Sequence, residues 1–207
     1  MLITIHHENP EPRKIQQAVE ILKKGGLVVY PTDSVYSICC ALSEHKAVIK
    51  LAQIKGVKPE KANFSLICKD LSHLSSYAKQ VNTNIYKLMK RALPGPYTFI
   101  LNASGMVPKI FKAKKKTIGI RVPDNKIALA LVQELGEPLV STSVHNSEDT
   151  MREYITDPEL IHEHYGVHVT AVIDGGIGRL EASTVFDCTQ NEAELIREGL
   201  GPVEGLL

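Results

Sequence analysis

The stretch PRKIQQAVEILKKGGLVVYPTDSVY, residues 12–36, predicts the fold class of this 207-residue chain. Apolar residues follow Pro12 at helical spacing, and the pair Gly25-Gly26 ends the predicted helix. A short apolar run at 27–30 then predicts a buried strand, and polar residues follow it. A helix that leads into a buried strand with polar residues at its end is typical of α/β proteins.

Helical and extended patterns alternate along the rest of the chain. The extended segments number seven or eight, and no repeat or low-complexity linker separates them. We therefore expect one α/β domain over residues 1–207, and the pattern leaves parallel and antiparallel pairing open. Ser43 is the expected N-cap of the second helix.

Composition excludes several classes of protein. The chain is 43% hydrophobic and 23% charged, close to the average for folded soluble proteins, which excludes disordered and fibrous classes. The apolar runs are shorter than the roughly 20 residues that a bilayer span needs. The first seven residues have no basic start or long apolar centre, so we read no secretory signal. We expect a cytoplasmic protein that does not associate with membranes.

The net charge of +1 hides an uneven distribution. Residues 1–146 carry 21 basic and 10 acidic side chains, whereas 147–207 carry 3 basic and 13 acidic ones. The segment 106–123 is basic and contains no acid. Such a segment is either a solvated loop or a contact for phosphate or nucleic acid. In the second case the residues that would contact tRNA or rRNA are Lys109, Lys112, Lys114, Lys115 and Lys116.

Cysteine and histidine spacing predicts no metal site. The four cysteines form no C-x-x-C pair, and three lie in apolar runs, so buried reduced thiols are expected. His162, His164 and His168 match no recognised ligand spacing. We therefore expect no protein-bound metal.

Polar residues collect at four predicted strand ends: 31–36, 117–123, 141–145 and 183–184. Ligands bind at strand ends of open α/β sheets, because loops there present side chains from a rigid frame. Hydroxyls, backbone amides and one guanidinium suit carboxylate or phosphate groups. Each segment alone could be ordinary turn chemistry, but the four together favour a cleft that binds an anion.

Seven short motifs, in order along nearly the whole chain, resemble the YrdC/YciO family. They are 31–36 (PTDSVY), 94–98 (PGPYT), 119–123 (GIRVP), 141–143 (STS), 174–176 (DGG), 183–185 (STV) and 196–199 (IREG). The resemblance implies a single-domain, twisted, mostly mixed β-sheet with flanking helices and a large basic concave face. It also implies an ATP-dependent nucleotidyltransferase that makes L-threonylcarbamoyladenylate and pyrophosphate from threonine, bicarbonate and ATP. Mg²⁺ would accompany the ATP, and the product would serve threonylcarbamoyladenosine modification of certain tRNAs.

The resemblance also assigns roles to individual residues. The residues at substrate-binding positions are Thr32, Tyr36, Asn63, Arg121 and Ser183. The residues on the nucleotide side are Lys55, Ser141, Ser143, His145 and Arg197. Arg121 would clamp the threonine carboxylate, and Lys55 and Arg121 are the expected catalytic residues. Nucleotidyl transfer depends on positioning and on neutralising phosphate charge, so these groups need no covalent nucleophile.

Three positions depart from the family pattern. The K-x-R signature reads KGV at 55–57 and the S-x-N signature reads SVH at 143–145, so one guanidinium and one amide are missing. Ser37 stands where the family has a glycine. These changes match the YciO-like branch and imply a weakened synthase. The alternatives are a hydrolase of a related acyl adenylate, or an RNA-binding protein that uses the basic face.

Overall fold

A computed structural model describes residues 1–108, 116–144 and 154–206. The strands in chain order are β1 (Leu2–Thr4), β2 (Val28–Tyr30), β3 (Ser37–Ala41), β4 (Ser65–Ile67), β5 (Tyr97–Asn102), β6 (Thr117–Arg121), β7 (Leu139–Ser143), β8 (Ala171–Asp174), β9 (Thr184–Asp187) and β10 (Glu194–Arg197). The helices are α1 (Pro12–Lys23), α2 (His45–Ile54), α3 (Leu71–Tyr77), α4 (Thr83–Ala92), α5 (Lys126–Leu135) and α6 (Pro158–Tyr165), and a 3₁₀ turn spans Pro59–Lys61. Within these ranges no helix has the length and apolar character needed to cross a membrane.

The strands form one mixed sheet, which confirms the predicted fold class. Their order is β1-β8-β2-β3-β7-β4-β6-β5-β9-β10. Pairing is parallel in β1–β8, β2–β8, β4–β6 and β5–β9 and antiparallel in the remaining pairs. This order brings β3, β7, β4 and β6 side by side although they are distant in sequence. Segments that follow or contain the predicted motifs therefore meet in the middle of the sheet.

Four helices pack on one face of the sheet and two on the other. On the first face, α2, α3, α4 and α6 pack over a core that includes the stacked rings of Phe99 and Phe186. On the second face, α1 and α5 pack on β1, β8, β2, β3 and β7 through residues such as Leu22 and Leu131. No residue of β5, β6, β9 or β10 belongs to that second cluster. We call the second face the cleft face, because the described helices leave its far half uncovered.

Two local expectations were wrong. The described residues contain ten strands rather than seven or eight, since β1 and β3 were missed. β1 has only three residues and β3 is buried on both faces, so neither shows the period-2 alternation of a half-buried strand. Ser43 does not cap α2, because the helix begins at His45 and Glu44 occupies the N-cap position. The Ser43 hydroxyl instead donates to the Glu137 carboxylate at 2.6 Å.

The four cysteines are buried and free, as the sequence predicted. Burial raises the pKa of Cys40, Cys68 and Cys188 to about 12. Burial also raises the pKa of Cys39 above its usual value. Because the thiolate is the reactive form, none of these side chains is a nucleophile at neutral pH.

Replacing Leu131 with Ala tests whether α5 holds the covered half of the cleft face. Leu131 is fully buried in the cluster formed by α1, α5 and the sheet. We expect Leu131→Ala to lower the free energy of unfolding by about 2–5 kcal/mol, because it leaves a cavity. The control Gln133→Ala, at an exposed position of the same helix, should change it by less than about 0.5 kcal/mol. Urea denaturation measures both, and equal values would contradict this packing.

Candidate functional site

The open half of the cleft face forms a cleft with a volume of about 1150 Å³. Its walls and floor come mainly from β3, β7, β4, β6, β5 and β9, with β10 at one edge. On these strands the cleft-face positions are mostly small and polar, whereas the alternate positions are large and apolar. In β7, Ser141 and Ser143 line the cleft and Val140 is buried on the other face. The cleft is large enough for a nucleotide-sized ligand.

The floor of the cleft is a row of small residues across three strands. Ser141 of β7, Ser65 of β4 and Gly119 of β6 lie opposite one another in the register of the sheet. A Cβ atom on Gly119 would lie 2.9 Å from the Ser65 Oγ and 3.3 Å from a methyl group of Thr98. Glycine therefore keeps the floor low enough for a ligand to approach the backbone closely.

Arg121 supplies a buried guanidinium at one end of this floor. The residue is 7% exposed and lines the cleft. Its Nη2 donates to the Asp33 carboxylate at 2.7 Å and to the Ser34 hydroxyl at 3.0 Å. Its Nε is buried and has no hydrogen-bond partner among the described residues. Since buried polar groups are nearly always paired, this nitrogen is an unused donor in the lining of the cleft.

Asp33 holds Arg121 in place. Its second carboxylate oxygen accepts from the Asp124 amide at 2.9 Å, and both side chains of the ion pair are 8% exposed. The sequence predicted that Arg121 clamps a carboxylate. In this structure Nη2 already donates to two protein oxygens, and Nε is the nitrogen of Arg121 that is buried without a partner among the described residues.

Ser183 and Arg197 lie at the same end of the cleft. The hydroxyl of Ser183 is 2.8 Å from that of Thr98. The carbonyl of Ser183 accepts from Arg197 Nη2 at 2.8 Å and from Nε at 3.2 Å. Register places Thr98 beside Arg121, because both residues lie next to the Phe99–Ile120 pair. The end of the cleft near Arg121 therefore carries two guanidinium groups and two hydroxyls. We call it the acid end, because these groups suit the acid group of a ligand.

Ser143, Asn63 and Lys55 lie toward the opposite end. Ser143 and Asn63 line the cleft, and the ammonium of Lys55 donates to the carbonyl of Ser143 at 3.2 Å. The hydroxyl of Ser141, between the two ends, is 2.7 Å from the buried hydroxyl of Tyr30. The residues predicted for the nucleotide side are therefore divided, since Arg197 lies at the acid end.

Thr32 and Tyr36 do not line the cleft. The Thr32 hydroxyl donates to the carbonyl of Val35 at 2.8 Å and accepts from the Ser34 amide at 3.0 Å, which fixes the turn that presents Ser34 to Arg121. The Tyr36 hydroxyl donates to the carbonyl of Gly176 at 2.6 Å, and burial raises its pKa to about 12. Both residues support the frame of the site, and their contact with substrate stays a prediction.

Several predicted residues lie outside the described part of the chain. They are His145, Lys109, Lys112, Lys114 and Lys115. Lys116 is described and exposed. The RNA-binding alternative depends mainly on this segment and so stays a prediction.

The sequence did not single out several residues that line the cleft. Those that matter here are Ser65, Thr98, Lys61 and Glu60. Strand alternation within β4 and β5 could have indicated Ser65 and Thr98, once the identity of the open face was known. No pattern marks Lys61 and Glu60, because they lie in a turn.

Comparisons with known proteins agree with this fold. The Sua5/YciO/YrdC family profile, described as telomere recombination, matches residues 20–199. The chain is 43% identical to the Escherichia coli K12 protein YciO over 98% of this chain and 97% of that protein. The crystal structure of E. coli YciO covers 100% of this chain and 99% of its own, with a TM-score of 0.91.

Two further relatives have informative names. The threonylcarbamoyl-AMP synthase of Neisseria gonorrhoeae is 36% identical over 80% of this chain and 86% of that protein. The P. abyssi Sua5 structure complexed with L-threonine is 28% identical, with a TM-score of 0.86. The match covers 96% of this chain and 57% of Sua5.

Two ion pairs of equal length allow a matched test of the Arg121–Asp33 pair. Asp33→Asn leaves the guanidinium buried without a counterion, and we expect a loss of about 3–5 kcal/mol in the free energy of unfolding. The Lys126–Glu8 pair has the same 2.7 Å separation but is 59% exposed on both sides. Glu8→Gln should therefore cost much less than Asp33→Asn, because solvent screens an exposed pair. Urea denaturation compares the variants, and a loss for Asp33→Asn no greater than that for Glu8→Gln would contradict the proposed burial effect.

Proposed function

The chain belongs to the Sua5/YciO/YrdC family, and from that premise we propose that its cleft joins threonine, bicarbonate and ATP into L-threonylcarbamoyladenylate and pyrophosphate. The adenylate would serve threonylcarbamoyladenosine modification of tRNA. The observation that carries the proposal is the buried guanidinium of Arg121, which has an unpaired Nε and faces a nucleotide-sized cleft. The names of the Neisseria and P. abyssi relatives support the same substrate class.

The arrangement of the cleft suggests how the substrates lie. In the register of β4 and β6, Arg121 pairs with Ile67 and Gly119 of the floor pairs with Ser65. Asn63 precedes Ser65 by two residues, on the side away from Arg121. At about 3.3 Å per residue, the distance from the row of Arg121 to that of Asn63 is roughly 13 Å. The threonine carboxylate would bind at the acid end, beside the hydroxyls of Thr98 and Ser183. The nucleotide would then extend over the small-residue floor toward Ser143.

The chemistry needs only groups that stabilise charge. An oxygen of threonine carbamate, formed from threonine and bicarbonate, attacks the α-phosphorus of ATP, and the bond to pyrophosphate breaks. Arg121 holds the substrate carboxylate, while Lys55 lies near the phosphates and offsets the charge that builds on their oxygens. Mg²⁺ would arrive with the ATP, because it binds proteins through one or two carboxylates together with phosphate oxygens. Glu60 is the carboxylate of the cleft lining that is suited to this contact.

Hydrolysis of the same adenylate is the second candidate function. Val57 stands where the family pattern has a guanidinium; it is 41% exposed and is not among the cleft-lining residues. The cleft therefore lacks one fixed donor that would stabilise the triphosphate in the transition state. In the hydrolytic reaction, water attacks the adenylate phosphorus and the bond to the carbamate oxygen breaks. The products are AMP and threonine carbamate, which returns to threonine and bicarbonate.

One set of incubations tests both candidates. The protein is mixed with ATP, Mg²⁺, bicarbonate and threonine, and the products are analysed by mass. Synthesis predicts threonylcarbamoyladenylate and pyrophosphate, with loss of both when threonine or bicarbonate is omitted. Hydrolysis predicts that supplied threonylcarbamoyladenylate is converted to AMP. The absence of both conversions would overturn the proposed function.

Gly119→Val tests whether the floor binds the nucleotide. The added side chain projects between Ser65 and Thr98 into the cleft. We expect the affinity for ATP to fall at least about tenfold, because the valine side chain would occupy space that the nucleotide needs. A tenfold loss corresponds to about 1.4 kcal/mol of binding free energy. Calorimetric titration measures it. The control Gly105→Val, at a position with no heavy atom within 4 Å of the added Cβ, should leave the affinity unchanged. An unchanged affinity in Gly119→Val would place the nucleotide elsewhere.

Restoring the two missing family groups tests the cause of weak synthesis. Val57→Arg combined with His145→Asn should raise pyrophosphate release that depends on threonine and bicarbonate. A charge-assisted contact made in the transition state is worth roughly tenfold to a hundredfold in rate. The single variant Val57→Arg separates the guanidinium from the amide. No gain in the double variant would show that these positions do not limit synthesis.

A further inference from the structure

The charged groups of the cleft are distributed unevenly between its ends. Among the described residues, the charged side chains that line it are Glu60, Lys61, Arg121 and Arg197. Both guanidinium groups lie at the acid end, where Arg121 is paired with Asp33 and Arg197 binds a carbonyl. An ATP molecule in the proposed orientation would bring its phosphates toward the opposite end. Lys55 lies near that end but donates to the carbonyl of Ser143, so a second cation in the cleft lining there would strengthen phosphate binding.

Lys61 has the position and the charge state for this contact. It ends the 3₁₀ turn at Pro59–Lys61 and precedes β4 by four residues. The chain runs from Lys61 through Asn63 into the floor at Ser65, so Lys61 lies at the end of the cleft away from Arg121. Throughout ranges 1–108, 116–144 and 154–206, no carboxylate forms an ion pair with its ammonium.

The turn that carries Lys61 is held by its own backbone. The amide of Lys61 donates to the carbonyl of Lys58 at 2.9 Å, and that of Ala62 donates to the carbonyl of Pro59 at 3.2 Å. Pro59 further restricts the turn by fixing its own φ. Lys61 ends this turn and lines the cleft, whereas Lys58, which directly precedes the turn, does not line it.

We infer that Lys61 is a phosphate-binding residue of the cleft and supplies the positive charge that Val57 cannot provide. The inference rests on the proposed function, because it requires a nucleotide in this cleft. An ammonium on a flexible stem attracts phosphate as a point charge and lacks the planar fork of a guanidinium. The contribution of Lys61 to the binding free energy should therefore be larger for nucleotides that carry more phosphates. It does so without fixing the geometry of the reacting phosphorus.

The test compares ATP and AMP binding in matched lysine variants. Calorimetric titration gives the dissociation constants of the wild type, Lys61→Ala, Lys58→Ala and Lys61→Arg. We expect Lys61→Ala to weaken ATP binding about tenfold, as loss of one charge-assisted contact implies. AMP binding should weaken by less than about threefold, because fewer charges are involved. Lys58→Ala should match the wild type, and Lys61→Arg should keep ATP affinity within about threefold, because it retains the charge.

Salt dependence gives a second readout that a structural role of Lys61 would not change. The decrease in ATP affinity with rising salt should be shallower in Lys61→Ala than in Lys58→Ala, since one screened attraction is absent. If Lys61→Ala and Lys58→Ala bind ATP equally well, the inference is overturned while the proposed function stands. If the wild type binds neither ATP nor AMP, the proposed function and the inference are both overturned.

Discussion

Among the described residues, two helices, α1 and α5, provide the helical cover of the cleft face, and the rest of the site follows from this limit. They pack on β1, β8, β2, β3 and β7 and reach Ile67 at the end of β4, and no other described helix covers the rest of this face. An open sheet face with large apolar side chains would promote association with other chains. Serine, threonine and glycine occupy much of that face instead, while the opposite face of the same strands is apolar and buried. The small and polar residues of the floor therefore allow this half of the sheet to stay uncovered without promoting association.

The guanidinium of Arg121 is buried at the edge of this floor, and an ion pair makes its burial possible. Burial of an unpaired charge is costly, and Asp33 offsets the charge of Arg121 from the turn that follows β2. The pair consumes only one nitrogen of the guanidinium, so burial and ligand binding do not exclude each other. An anion that reaches Nε completes the hydrogen bonding of a group that the fold leaves incomplete. Under the proposed function, the side chain that Asp33 neutralises in the fold is also the one that binds the substrate carboxylate.

The sequence predicted the fold class and several of the residues that line the cleft, but it did not predict the full set of lining residues. Strand and helix signals are local, so the helix before Gly25 and the strand after it could be read directly. Whether Thr32 and Tyr36 face the cleft depends on hydrogen bonds to distant or irregular backbone, such as the carbonyl of Gly176. Ser65 and Thr98 become recognisable only when the open face is known. A single sequence carries no signal for which half of a sheet its helices leave uncovered.

The two ends of the cleft differ in how firmly their charges are held, and this difference bears on the chemistry. At the acid end, Arg121 is fixed by Asp33 and Ser34 before any ligand arrives. At the other end, Lys61 is an exposed side chain on a short turn. Preorganised donors stabilise a transition state far better than groups that must be ordered during the reaction. Under the proposed function, the carboxylate of the substrate would therefore be held more firmly than the phosphates. The same balance would apply to both proposed reactions, because synthesis and hydrolysis share the acyl adenylate and differ in the group that attacks the phosphorus.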